Sequence, residues 1–238
     1  HEGMRDTIAD IYGMPREHVH VLGTGYDAGV FCREGTCALP MGENRPPRIL
    51  YAGKIAYAKG VASLMRSLAL LPPELASAEI YLAGGAGDAQ EYAAIEALAA
   101  ASGHKVVFLG KVSPSELASY YRSCDVFVLP SFYEGLPLVV VEAMACGCKV
   151  AVSDLPGVRP WLSENLPGAP VRYVGLPRMK EVDVPFAADL PAFERRLADE
   201  LAASLAEPAR ACDPSSLSWD SLATRLVGDL SSVVAYNR

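Results

Sequence analysis

The chain has 238 residues, 51% of them apolar and 21% charged, which is enough for a real core and for one large domain or two small ones. That profile excludes a disordered chain. With 28 acidic against 21 basic residues, its formal charge of −7 excludes broad nucleic-acid or anionic-membrane binding, because both need a basic surface.

Residues 4–12 read as a short helix, and "HVHVLGTG" (18–25) as a strand running into a glycine turn. "CREGTCALPMGENRPP" (32–47) has loop composition and reads as a linker. From residue 48 strands and helices alternate. "RILYAG" precedes an apolar helix over 59–71, "EIYLAG" (79–84) an Ala-rich helix over 88–102, and "KVVFLG" (105–110) a helix over 114–122. "DVFVLP" (125–130) leads into "PSFYEGLPLVVVEAMACG", and "KVAVS" (149–153) makes a fifth strand. Because these strands are near-continuous apolar runs, both of their faces should be covered. The alternation predicts parallel βαβ units, hence an α/β fold with a Rossmann-like doubly wound sheet and helices on both faces. Past residue 158 the stretch "SENLPGAPVRYVGLPRMKEVDVP" is Pro-rich and reads as irregular. Two amphipathic helices, roughly 190–206 and 217–235, then close the chain, with Trp219 expected to anchor the second by packing.

The six cysteines (32, 37, 124, 146, 148 and 212) match no common zinc spacing and include no CxxC pair. Cys124 begins an apolar strand and Cys146 ends an apolar helix, so buried free thiols and a reducing, cytoplasmic setting are expected. There is no secretory leader pattern and no apolar run of membrane-spanning length, so the chain reads as soluble.

In doubly wound sheets ligands bind at the carboxyl ends of the strands, which directs attention to the loops there. After the first strand, Lys54 and Lys59 of "AGKIAYAKG" flank a turn that opens a helix, a suitable seat for a diphosphate. Solvated surface lysines are the other reading of the same pattern. After the second, Gly84, Gly85 and Gly87 permit close backbone approach, although any good βα turn has the same composition. After the third, Gly110 could admit a planar base, or end a plain loop. The sequence contains no GxGxxG, no Walker A pattern, no HExxH and no DxD.

The fourth loop is the most informative. Pro137 fits the first helical position, and the amides that follow would face the strand-end cleft unpaired. Glu134 can accept from sugar hydroxyls. Glu142 sits in the apolar helix "LVVVEAMA", where a carboxylate must find partners or bear a desolvation penalty. Two ribose hydroxyls would satisfy it. The plain alternatives are a helix N-terminal acid at 134 and a solvent-facing acid at 142.

These segments, "AGKIAYAKG", "LAGGAGD", "VVFLGKVSPSELASYYRSCDVFVLPS", "EGLPLVVVEAMACGCKVAVSDLPG" and "LSWDSLA", resemble in order and spacing the C-terminal domain of glycosyltransferase family 4. The likeness is strongest over residues 48–158, and "REHVHVLGTGYDAGVF" is similar to the segment just upstream in that family. The specific feature is EX7E, Glu134 and Glu142, in its strand–turn–helix setting. The resemblance implies a GT-B-fold, retaining, metal-independent enzyme using a nucleotide-diphosphate sugar, UDP- or GDP-linked, with no separate cofactor. By position it implies catalytic roles for Lys54, Lys59 and Glu134, the lysines clamping the departing diphosphate. Gly53, Gly84, Gly85, Gly110 and Lys111 would border the donor and its base. Gly135, Leu136, Pro137 and Leu138 would hold sugar and diphosphate, and Glu142 the ribose. Two departures are notable: Lys54 stands where the family has Arg, and Pro137 where Gly is commoner.

An enzyme of this type needs an N-terminal acceptor lobe. Residues 1–47 are expected to be the tail of that lobe and a hinge, and 48–238 the nucleotide-sugar-binding domain with a C-terminal helical extension. The expectation is therefore a donor lobe that binds nucleotide sugar but transfers little alone, with peripheral membrane association a property of the full-length enzyme. A non-catalytic sugar-nucleotide module and a GT-B-fold sugar-nucleotide epimerase are the competing readings.

Overall fold

The computed structural model describes residues 2–19, 23–208 and 212–236, with the side chains of 2–4 and 229–236 left aside. Six parallel strands form one sheet: β1 (Arg48–Ala52), β2 (Glu79–Ala83), β3 (Lys105–Gly110), β4 (Val126–Leu129), β5 (Lys149–Ser153) and β6 (Val171–Val174). Their order is β3-β2-β1-β4-β5-β6. The order reverses between β1 and β4, which pair at Ile49–Val126 and Leu50–Phe127. In doubly wound sheets such a reversal marks the crevice, outside the carboxyl ends of the strands, where ligands bind.

The apolar runs account for the layering. Every residue of β1 and β4 is buried, as are all but the first of β2 and β5, so these four strands are covered on both faces. β3 and β6, at the two edges, are only half-buried. One face carries α2 (Val61–Leu68), packed between α3 (Ala89–Ala101) and α7 (Leu190–Ala206). The other carries α4 (Pro114–Tyr121) against α5 (Leu138–Ala145). Local signals set the helix starts: Asp88 accepts from the amides of Gln90 and Glu91 to cap α3, and Ser113 with Glu116 forms a capping box on α4.

At the opposite, amino end of the sheet, Arg45 grips Asp125 through two hydrogen bonds of 2.8 and 2.7 Å, and Asp125 also accepts from the Arg48 amide. Arg48 is buried and paired with Glu79, and it donates to the Pro40 and Ser123 carbonyls. Residues 23–47 thus lie docked on the sheet domain: Phe31 packs edge-on to Tyr121, and Arg122 donates to the carbonyls of Cys32 and Thr36.

The structure departs from the sequence reading in several places. The strand expected over 18–25 does not form at its described residues. His18 ends a 3-10 turn (Arg16–His18), and only Tyr26 makes an isolated bridge, to Ser218; residues 20–22 lie outside the described residues. The helix expected over 59–71 is a 3-10 turn (Tyr57–Lys59) followed by α2, because Gly60 adopts a left-handed conformation between them. The stretch after 158 is not irregular: it holds α6 (Val158–Asn165) and β6. β6 escaped notice because it is four residues long, carries Arg172 and follows a proline, as edge strands do. Trp219, at the start of α8 (Trp219–Tyr236), is 54% exposed. Its ring nonetheless packs on Gly25, where a Cβ would stand 2.9 Å from Trp219 Cδ2, its amide donates to the Tyr26 carbonyl at 3.0 Å, and buried Leu222 adds to the anchor. All six cysteines are free, and Cys124, Cys146 and Cys148 are buried.

Candidate functional site

The loops leaving β1, β2 and β3 are zipped together before they reach solvent. Gly53 donates to the Ala83 carbonyl and Gly84 to the Gly110 carbonyl, while Ile55 and Gly87 exchange backbone bonds with the β2 loop and β1 loop respectively. Gly84 has a positive φ of 151°, and a Cβ there would overlap the Gly53 carbonyl. Close approach of backbone to backbone is therefore what this pair of glycines supplies. Gly85 and Gly87 make room for lysine stems. A Cβ at Gly85 would stand 2.8 Å from Lys111 Cε, and one at Gly87 would overlap Lys54 Cε. Lys54 and Lys111 are exposed, and both lie over the glycine turn after β2.

Lys59 comes from the turn before α2, and Gly60 explains its placement. With φ at 68°, Gly60 sits so close to the β4 exit that a Cβ would overlap the Pro130 carbonyl oxygen. The Phe132 amide donates to the Ala58 carbonyl at 3.0 Å, stitching the two loops across the crevice. Lys59 then reaches Glu134, with Nζ 2.8 Å from Oε1, and also donates to the Tyr133 carbonyl at 3.3 Å. The same Oε1 accepts from the buried hydroxyl of Ser131 at 2.7 Å. Beneath the loop, the Tyr51 hydroxyl donates to the Lys54 carbonyl at 2.7 Å; burial, and after it the Glu134 charge, raise that phenol above its ordinary value.

The start of α5 differs from expectation by one residue. Pro137 is the N-cap, with φ −81° and ψ 87°, not the first helical residue. Two of the amides expected to be open are occupied. Leu138 donates to the Leu136 carbonyl and Val140 to that of Pro137, both at 3.0 Å. Among the described residues the Val139 amide takes no carbonyl. The Val139 carbonyl accepts from the Tyr121 hydroxyl at 3.2 Å, which holds this turn from below.

Glu142 occupies the second turn of α5, half-buried. Its carboxyl forms no hydrogen bond or ion pair among the described residues, and burial pushes its pKa up to about 7. The structure thus brings Lys59 and Glu134 into contact and sets Gly53 against Gly84. Gly135 is exposed, while Leu136 and Leu138 are half-buried and Pro137 is buried. Ser131, Gly60 and Tyr51 were not anticipated. A serine three residues before an acid and a glycine directly after a lysine were the signals available, and both are common in ordinary turns.

The loops at the carboxyl ends of β1 to β4 thus carry a held cation, two further exposed lysines and one ion-paired carboxylate, and the helix that follows β4 carries one unpaired carboxyl. Cations of this kind can receive phosphate oxygens, and carboxylates can receive hydroxyl protons. Among the described residues no group of three or more His, Cys, Asp or Glu is placed to hold a metal ion, and no helix is long and apolar enough to cross a membrane.

Fold and site together define a doubly wound α/β domain with a charged crevice at its switch point. Residues 42–171 match the family described as "Glycosyl transferases group 1", and the chain belongs to that family. It is 31% identical to an uncharacterized glycosyltransferase of Methanocaldococcus jannaschii, over 70% of this chain and 44% of that one. With alpha-maltose-1-phosphate synthase of Mycolicibacterium smegmatis it shares 30% identity, over 88% of this chain and 53% of the relative. Among solved structures, sucrose-phosphate synthase from Thermosynechococcus elongatus superposes with a TM-score of 0.60 at 24% identity, over 91% of this chain and 53% of that chain. The chain therefore spans about half the length of the relatives it matches.

Proposed function

We propose that this chain is the donor-binding lobe of a retaining, metal-independent glycosyltransferase that transfers a sugar from a nucleotide-diphosphate sugar. The observation that carries the reading is the Lys59–Glu134 pair at the carboxyl end of the β1/β4 reversal, on the loop that leads into the helix bearing the unpaired carboxyl of Glu142. In this reading Lys54 and Lys59 take the diphosphate. As the bond from the anomeric carbon breaks, its electron pair goes to the departing phosphate oxygen, and the two ammonium groups stabilise the charge that develops there. Because Lys59 is already held by Glu134 and the Tyr133 carbonyl, little rotamer entropy remains to be lost at that moment. Glu134 and the backbone of 135–138 hold the sugar, Glu142 accepts from the ribose hydroxyls, and Gly84, Gly85, Gly110 and Lys111 border the base.

The acceptor, a glycan, lipid-linked or small molecule, would be supplied by a second lobe preceding a hinge within residues 1–47. In this reading the whole enzyme works in the cytoplasm, and any membrane association is peripheral. Calorimetric titration of the chain with UDP, GDP, ADP and their sugar conjugates tests the donor reading. Saturable binding of one nucleotide series, lost in Glu142→Ala, is the expected result. Equal binding of wild type and variant would remove Glu142 from the site.

A further inference from the structure

We infer that Ser131 is a positioning residue: it fixes which oxygen of Glu134 meets the sugar, so that the sugar is recognised there through hydroxyl or N–H donors to that one oxygen. This rests on the donor reading above and says how its sugar contact is built.

Ser131 is fully buried at the end of β4 and is followed by Phe132, whose amide is tied to the Ala58 carbonyl. The chain is thus tied to the β1 loop at the residue that follows the hydroxyl. That hydroxyl donates to Glu134 Oε1 at 2.7 Å, and Lys59 Nζ donates to the same atom at 2.8 Å. A carboxylate oxygen offers about two in-plane lone-pair directions, and on Oε1 both are taken. Oε2 receives no donor among the described residues, while the Glu134 side chain keeps 17% exposure. Of the two carboxylate oxygens, Oε2 is thus the one with acceptor capacity left for a ligand.

Two consequences follow from the chemistry. Lys59 alone could hold Glu134 in several rotamers, because an ammonium is a rotatable point donor. The buried hydroxyl adds the second, directional anchor that selects one of them. The open oxygen is an acceptor and carries negative charge, so the group it meets must be a hydroxyl or amide N–H donor. A uronic-acid carboxylate directed at this position would face a like charge.

The test uses Ser131→Ala and Ser131→Thr in the whole 238-residue chain. Calorimetry with UDP, GDP and ADP beside UDP-glucose, GDP-mannose and ADP-glucose gives the sugar increment, the ratio of each conjugate's affinity to that of its own diphosphate. Ser131→Ala should lower the increment about 5-fold, the equivalent of one hydrogen bond, while leaving diphosphate affinity within about twofold; Ser131→Thr should restore it. An unchanged increment, or an equal loss of diphosphate affinity, overturns the inference. Glutamate-selective 13C labelling reads the Glu134 rotamer without any ligand. One rotamer is expected in wild type and Ser131→Thr, and averaging in Ser131→Ala; a single rotamer in Ser131→Ala overturns the positioning role. Failure of the donor reading would show differently, as a wild type that binds none of the six nucleotides, and the labelling experiment would still decide what Ser131 does.

Discussion

Glu142 holds its proton to about pH 7, against an ordinary value of 4.5, because burial penalises the charged form. Between those two values the folded chain keeps a proton that the unfolded chain has released. Stability therefore falls as pH rises from about 4.5 to about 7 and is level above, a total of roughly 3 kcal/mol at most. Glu142→Gln should accordingly be more stable than wild type in urea at pH 8, by up to about 3 kcal/mol, with the gap closing at pH 4.5. A gap that is the same at both pH values would mean the carboxyl ionises as it does in the unfolded chain. The same proton bears on the proposed ligand. Ribose hydroxyls donate best to the ionised carboxylate, so nucleotide affinity should rise with pH through about 7. At pH 6.5 binding should release a proton, visible as a dependence of the calorimetric heat on buffer ionisation enthalpy. The sequence showed that an acid in "LVVVEAMA" needed partners. It could not show that Glu142 finds no partner among the described residues, since that depends on what Tyr121 and the α4 layer leave open around the helix.

The elements were legible where one periodicity dominated and opaque where contacts distant in sequence decided. Five strands announced themselves as apolar runs; β6 did not, because what stabilises it lies elsewhere. Arg172 of β6 pairs with Glu200 at 2.7 Å and with Glu207, both borne by α7 or its end. Likewise nothing local marks Gly60 as more than turn punctuation. Its necessity comes from the Pro130 carbonyl, which belongs to the neighbouring strand's exit. Gly60→Ala should cost at least about 2 kcal/mol in urea denaturation, combining a left-handed backbone with a backbone clash. It should also spread Lys59 from Glu134, lowering any nucleotide affinity along with stability. At the other end of the sheet, Asp125→Asn breaks the fork with Arg45 and leaves a half-buried guanidinium without its counter-charge. A loss of about 2–3 kcal/mol is expected, with Arg45→Lys losing less because the charge survives. Equal stability of wild type and Asp125→Asn would show that the fork contributes nothing net.

At the scale of the whole molecule, the doubly wound architecture followed from the alternation of elements alone, while the strand order came only from the structure. Of the site, the carboxylate spacing was visible in the sequence, and the meeting of Lys59 with Glu134 was implied only through resemblance, because 75 residues separate them. If the crevice takes a nucleotide sugar, ligand at about 100 times its Kd should add about 2.7 kcal/mol of stability by mass action. The thermal midpoint should rise accordingly, and Glu142→Ala should abolish the rise. The strand order carries a further consequence, for the sequence of events in folding. β1 to β3 can assemble from neighbouring stretches of chain, and so can β4 to β6, but the crevice belongs to neither half. It comes into being at the seam, when β4 docks on β1 and closes the longest gap in the sheet. A ligand lodged there touches both halves and acts as a rivet across that seam. Donor binding should then slow the parting of the two halves more than the fraying of either outer edge, a difference that hydrogen exchange can read as protection concentrated in β1 and β4.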